Sequence, residues 1–203
     1  HMVQAEGFDI IHSHGARGNM MAAFLAKRTG LPTVSTVHSD YRLDYLGRPL
    51  SRITYGTINT IALRKLDYRI GVSDAMVDLL IDRRFDPERF FAIYNGLDFT
   101  PRTPSMDRAT FFRSVGLDAD DTCVVAGIAA RLNPVKDIAT LIRGFARAHA
   151  EYPPLRLLIA GDGEEMESLK KLASDLGVAK EVCFAGWVSD TDSFYHALDI
   201  NTL

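Results

Sequence analysis

The stretch from Val124 to Glu165, VVAGIAARLNPVKDIATLIRGFARAHAEYPPLRLLIAGDGEE, constrains the fold more than any other part of the chain. It reads as an apolar, β-branched strand (124–128), a basic loop (131–136), an amphipathic helix, a second apolar strand (155–160) and a Gly-Asp-Gly turn into another helix. That is one βαβ unit with positive charge and glycines at the carboxyl ends of its strands, where open parallel sheets bind ligands. Arg131 and Lys136 flank a loop stiffened by Pro134, so both cations can reach one anion just beyond the sheet. An arginine fork suits diphosphate oxygens and a lysine adds a mobile point charge. The same two charges also fit a solvated loop, and the residue types alone do not choose between the two. Gly161 and Gly163 permit a tight turn and close backbone approach, with helix amides facing an anion. The GDG run is shorter than the full G-x-G-x-x-G pattern.

The same rhythm runs through the rest of the chain. Strands are expected at 8–12, 33–37, 68–72 and 90–94, with helices at 16–28, 50–66 and 74–84 between them. Gly30 ends the first helix and Ser73 caps the third. Asn95-Gly96-Leu97-Asp98, followed by Pro101 and Pro104, is the best candidate for a domain boundary. A short helix (106–115) follows, then strand 123–128, helix 138–151, strand 155–160, helix 164–176, strand 182–185 and helix 191–197. Strands alternating with helices predict an α/β fold of Rossmann-like parallel sheets with flanking helices. The expected division is residues 3–98 as a first Rossmann-like domain, 99–121 as a linker and 122–203 as a second.

Composition excludes several classes. A 203-residue chain that is 47% hydrophobic and 24% charged can build a real core, and a net charge of -3 does not suit a general nucleic-acid binder. No apolar run approaches the roughly 18 residues of a membrane span. Cys123 and Cys183, both in apolar strand-like runs, read as reduced packing thiols rather than a disulfide or metal pair, which suits a cytoplasmic location.

The ordered series DIIHSHG, TVHSD, IGVSDAM, IYNGLDF, GIAARLNPVKD, LLIAGDGEE and VCFAGWVSD resembles the retaining glycosyltransferases of family 4 (group 1), which have the two-Rossmann-domain GT-B fold. Each motif is only moderately specific, but seven in order cover nearly the whole chain. The resemblance implies transfer of a sugar from a nucleotide-diphosphate donor, UDP first among them, to a glycan, lipid or polyol acceptor, with retained anomeric configuration. It implies no cofactor and no metal. By carry-over, His38 matches the family's cleft histidine near the reacting centre, and Arg131 and Lys136 match the basic pair that holds the donor diphosphate. Fixed cations aimed at a departing phosphate lower the barrier more than they help the ground state. Gly161 and Gly163 fall near the donor and Val188 near the base, while His14, Ser39 and Asp44 fall on the acceptor side.

Other candidates read more plainly. His12 and His14 share one strand face, and with His38 they suggest a metal triad, but no carboxylate at ligand spacing joins them. Asp40 suits an acceptor contact or plain solvation, and Trp187 reads as a packing residue. Against the family pattern both domains are expected to be partial, lacking the leading strands and the later pair of glutamates eight positions apart. Two outcomes would cover the exposed edges: one combined doubly wound sheet, or exchange between chains to give a homodimer. Rival functions are a catalytically inactive nucleotide-binding fragment and a nucleotide-sugar epimerase of the same fold, which would need an acid/base carboxylate pair. A dinucleotide oxidoreductase is disfavoured because no G-x-G-x-x-G follows the first strand. Peripheral contact with the inner membrane surface is the alternative to a purely cytoplasmic location.

Overall fold

The computed structural model describes residues 6–43 and 49–203. The chain divides into two compact units, His1–Asp98 and Phe99–Leu203. The first holds β1 (Ile11–His14), α1 (Gly15–Thr29), β2 (Thr33–Val37), α2 (Pro49–Lys65), β3 (Tyr68–Gly71), α3 (Asp74–Asp82) and β4 (Phe90–Ala92). Its four strands are all parallel and lie in chain order, β1-β2-β3-β4.

Strand parity then sorts the first sheet into two faces. The register sets Ser13 beside Ser35, Ser35 beside Arg69 and Arg69 beside Phe90 on the inner face. There Val37, Tyr41, Leu63, Leu66, Leu80 and Phe85 form the core, with Ala22 from α1. Three of those inner positions are polar, and each is satisfied. Asn19 on α1 accepts from Ser13 Oγ at 2.8 Å and Ser35 Oγ at 2.6 Å, and donates to Asn59 Oδ1 on α2 at 2.9 Å. Buried Arg69 donates through Nε, at 2.9 Å, and Nη2 to the Leu63 carbonyl in the last turn of α2. Its guanidinium lies over the rings of Phe85 and Phe90. The cation thereby helps to close the end of α2, where the Leu63 carbonyl otherwise has only a long 3.4 Å bond from Leu66 N.

The first strand differs from expectation. Phe8 and Ile10 are 52% and 54% exposed, and the ladder to β2 begins at Ile11 and runs through His14. Pairing with β2 outweighs local apolar content, so HSH rather than FDI forms the strand.

The second unit holds α4 (Arg108–Val115), β5 (Val124–Ala129), α5 (Ile138–Glu151), β6 (Leu155–Ala160), α6 (Met166–Asp175), β7 (Val182–Gly186), α7 (Thr191–Ala197) and β8 (Ile200–Asn201). Its strand order is β7-β6-β5-β8, again all parallel. The chain doubles back after β7 to set β8 beside β5, so helices cover both faces. Ala126, Ile128, Leu157 and Ile159 point to α5 and α6, while Val125, Leu158 and Ala160 meet Phe111, Phe112, Phe194 and Ala197 from α4 and α7. The segment expected as a linker thus contributes Phe111, Phe112 and Leu117 to this second core. Arg108 at the start of α4 grips Asp199 in a fork at 2.9 and 2.6 Å, and Asp199 also accepts from Val125 N at 2.7 Å.

The expectation of one combined doubly wound sheet is not realised: β1–β4 and β5–β8 form separate sheets. Each sheet closes its own core against its own helices, which leaves no reason for the strands to mix. Both cysteines are free and half-buried. Burial pushes the Cys183 thiol to about 11, and its Sγ donates to the Val115 carbonyl at 3.2 Å, so it behaves as a packing group. No helix among the described residues is long and apolar enough to cross a membrane.

Candidate functional site

In the second unit, order reverses between β5 and β8, and the loops after β5, β6 and β7 gather at the carboxyl ends of the strands. Backbone hydrogen bonds join these loops directly. Ala130 N donates to Ala160 O at 3.0 Å, Leu132 N to Asp162 O at 3.0 Å and Gly161 N to Gly186 O at 2.6 Å. Such close approach leaves no room for side chains at the two glycines. A Cβ on Gly161 would lie 1.9 Å from Ala130 O, and one on Gly163 would lie 2.2 Å from Leu132 O. The glycines therefore serve first to bring the loops together.

The joined loops border a cavity of about 400 Å³. Arg131, Gly161, Asp162, Trp187, Val188, Thr191 and Phe194 line it. Of the residues singled out in the sequence, Arg131, Gly161 and Val188 meet here. Lys136 and Gly163 do not line the cavity: Lys136 ends a short 3-10 helix, Pro134–Lys136, that leads into α5. Asp137 turns the chain there in the left-handed region, at φ 46°, and its own side chain makes no capping bond to the first amides of α5. The positive end of the α5 dipole begins two residues after Lys136 in the chain.

Trp187 departs from the packing role expected of it. It is 84% exposed at the cavity rim. The register shifts at the end of the β6–β7 ladder, so that Ala160 pairs with Gly186, and Gly186 at φ 65° turns the chain outward before the tryptophan. Asp162, Thr191 and Phe194 were missed in the sequence. Thr191 and Phe194 lie in the first turn of α7, and their approach depends on the return of that helix over the sheet.

In the first unit, parity places His12, His14 and Thr36 on the outer face of the sheet, and His38 follows β2 on the same side. His14 sits beside Thr36 in the ladder, so His38 is its diagonal neighbour, within reach of a long side chain. The rings do meet: His14 Nδ1 and His38 Nε2 are 2.9 Å apart, with centroids at 5.2 Å and planes within 24°. His12 Nε2 bonds Thr36 Oγ1 at 2.8 Å, and its ring lies 4.5 Å from that of His14. Burial, with His14 and His38 beside it, holds His12 below the ordinary histidine value. Among the described residues no group of three histidine, cysteine, aspartate or glutamate side chains is arranged to hold a metal.

His38 and Ser39 border a small hollow of about 70 Å³ with Gly15, Thr36 and Tyr41. The loop carrying them is fastened by Asp40, whose two oxygens accept from Arg83 at 2.8 and 2.6 Å, with Arg83 lying over the Tyr41 ring. Asp40 is therefore engaged in structure rather than open to an acceptor. Asp44, expected on the acceptor side, lies outside the described residues. The Arg83 bonds hold the Asp40 carboxyl below its usual value. Its stabilisation is present above the unfolded value near 3.8 and is lost as pH falls through the lowered one. Arg83→Ala is expected to cost the first unit about 2 kcal/mol at neutral pH, less than a fully buried pair, and less as pH falls below about 4. Hydrogen exchange of the α1 and α3 amides measures it.

Comparison with known proteins follows the same two-unit division. Residues 1–100 match the family model for Glycosyltransferase Family 4, and residues 108–203 match that for Glycosyl transferases group 1. Among curated relatives, the D-inositol 3-phosphate glycosyltransferase of Stackebrandtia nassauensis is 29% identical over 194 residues, covering 87% of this chain and 42% of the relative. The Escherichia coli UDP-Gal:alpha-D-GlcNAc-diphosphoundecaprenol alpha-1,3-galactosyltransferase is 24% identical over 212 residues, covering 100% of this chain and 53% of the relative. The chain spans about half the length of these relatives. Among solved structures, Anabaena Alr3699/HepE in complex with UDP-glucose matches with a TM-score of 0.80 at 23% identity, covering 98% of this chain and 54% of that one. That likeness shows the fold, a GT-B-type pair of Rossmann-like sheets. With its two halves matched in order by the two models, the chain belongs to the family 4/group 1 glycosyltransferases.

Proposed function

We propose that the second unit holds the nucleotide-diphosphate part of a sugar donor, and that the chain serves a retaining glycosyltransferase acting on a glycan, lipid or polyol acceptor. The observation that carries this reading is the cavity at the carboxyl ends of β5, β6 and β7, with Arg131 on its lining and Lys136 and the start of α5 close in sequence. Apolar walls from Val188 and Phe194 suit a base, and the cations suit a diphosphate. A UDP-sugar is the donor proposed, in keeping with the UDP-glucose bound to Anabaena Alr3699/HepE.

In this reading the bond from the anomeric carbon to the diphosphate oxygen breaks, a bond from that carbon to an acceptor hydroxyl oxygen forms, the hydroxyl proton passes to the departing diphosphate, and negative charge grows on the leaving phosphate as the bond parts. Arg131 and Lys136 meet that charge as it forms, which lowers the barrier selectively. Gly161 and Gly163 let the backbone close around the donor, and Val188 borders the base. His38 serves the transferred sugar, and Ser39 beside it falls on the acceptor side.

Titration with UDP, GDP and ADP tests the proposal, read by calorimetry and by the fluorescence of Trp187, the single tryptophan. One nucleotide is expected to bind, with Arg131→Ala weakening it roughly 10- to 100-fold, as fits the loss of a charge-assisted contact. No binding by any of the three, or equal binding by the variant, would overturn it.

A further inference from the structure

The three histidines on the outer face of the first sheet are linked in a definite order, and the order has a chemical consequence. Thr36 Oγ1 fixes the His12 ring through Nε2. His12 lies against His14 at 4.5 Å and limits how that ring can turn. His14 then meets His38 through one pair of nitrogens, Nδ1 to Nε2, at 2.9 Å. Two imidazole nitrogens at this distance share one hydrogen: one ring donates and the other accepts. A hydrogen on both nitrogens would oppose two donors and break the contact. The bond therefore couples the tautomers of the two rings, since His38 carries its hydrogen on Nδ1 when His14 donates and on Nε2 when His14 accepts, and it holds the plane of the His38 ring.

We propose that His14 is the positioning residue for His38: its Nδ1–H donates to Nε2 of His38, which holds the ring and leaves the hydrogen on Nδ1 of His38 to face a sugar hydroxyl. This rests on the reading of His38 as a residue serving the transferred sugar, and it gives His14 a different task from the acceptor contact expected in the sequence. The pair is read as a hydrogen bond, with Nδ1 of His14 and Nε2 of His38 facing each other at 2.9 Å and, among the described residues, no third ligand grouped with them to hold a metal. It also differs from the generic use of a histidine beside a carboxylate, because here a second imidazole orients the first. The groups facing His14 are His12 on its own strand and His38 beyond β2, with Thr36 between them in the ladder. The arrangement depends on the diagonal register of β1 and β2, which brings residues 14 and 38 together across 24 positions.

The test reads the ring nitrogens directly, in the ¹⁵N-labelled chain, by long-range ¹H–¹⁵N correlation of the histidine side chains. His38 in the unaltered protein is expected to show one tautomer, with hydrogen on Nδ1. His14→Phe keeps a ring against His12 but has no nitrogen, and should release His38 into a mixture of tautomers. His14→Asn places an amide where Nδ1 stood, and its N–H, donating to Nε2 of His38, should restore the Nδ1–H form. Backbone amide spectra of both variants separate this from unfolding. A His38 spectrum unchanged in His14→Phe, or a tautomer mixture already present in the unaltered chain, would overturn the assignment. Nucleotide titration of the same samples keeps the two proposals apart. A lost nucleotide signal with an intact His38 signature sinks the donor reading alone; a retained nucleotide signal with an unaffected His38 sinks the positioning role alone.

Discussion

Gly161→Ala is expected to destabilise the second unit by about 3–5 kcal/mol, the sum of a strained backbone and an overpacked contact. Gly161 has φ 122°, a region that L side chains rarely adopt, and its added Cβ would lie 1.9 Å from the Ala130 carbonyl oxygen. That oxygen cannot simply swing away. Ala130 N is held to Ala160 O, and Gly161 N to Gly186 O, so the obstacle is backbone fixed between three strand ends. Relief requires the loops after β5 and β6 to part, and the cavity lining parts with them. Gly177→Ala is the control: its φ is 73°, but nothing stands within 4 Å of the new Cβ. Only the left-handed conformation is penalised there, at about 1–2 kcal/mol. Urea denaturation of both variants, followed by amide exchange in β5 and β6, compares them. If Gly161→Ala falls no further than Gly177→Ala, the packed-loop account of the cavity fails. Nucleotide binding adds a second readout, since the Gly161 variant should lose it even where the unit stays folded.

The sequence marks out the second unit well and the first less well, and the reason is visible in particular residues. β6 and α5 match their expected bounds, Leu155–Ala160 and Ile138–Glu151, because every strand position but Arg156 is apolar and the helix has one apolar face. β2 matches too, at Thr33–Val37. β1 does not, because its inner residue is Ser13, and a buried serine looks like surface until Asn19 and Ser35 are seen beside it. An asparagine inside the first helix was the available hint, since such a residue in a helix interior needs a tertiary partner. The histidine pair shows a different gap. H-x-H declares a shared strand face, but only the β1–β2 register reveals that His38 is the diagonal partner of His14. For the cavity, Arg131, Gly161 and Val188 were legible as loop residues after strands. Trp187 was not, because its exposure follows from a register shift at the end of the β6–β7 ladder that no local pattern announces. Side chains that depend on one element's own periodicity can be read from sequence; those set by the offset between two strands cannot.

Phe194→Ala should show that the cavity and the second core are one packing problem. Phe194 is fully buried, meets Phe111 edge-on at 6.2 Å and 77°, and yet borders the cavity beside Thr191. Its ring is thus the wall between the core under α4 and α7 and the open space above β5. Removing a buried phenylalanine ring costs about 3–5 kcal/mol, and here the site cannot collapse cheaply because α7 is anchored at its start. Asp190 accepts from Ser193 N at 3.1 Å, and Met106 N donates to Ser193 Oγ at 3.0 Å, which ties the helix to the segment before α4. The helix therefore stays in place and the lost ring leaves a void open to the cavity. Phe194→Leu keeps most of the volume and should cost only about 1–1.5 kcal/mol. If the wall matters to a bound base, the alanine variant weakens nucleotide binding at least tenfold under conditions where it remains folded, and the leucine variant recovers most of it. Equal binding by both folded variants would mean that the base lies against Trp187 and Val188 instead, and that Phe194 serves the core alone.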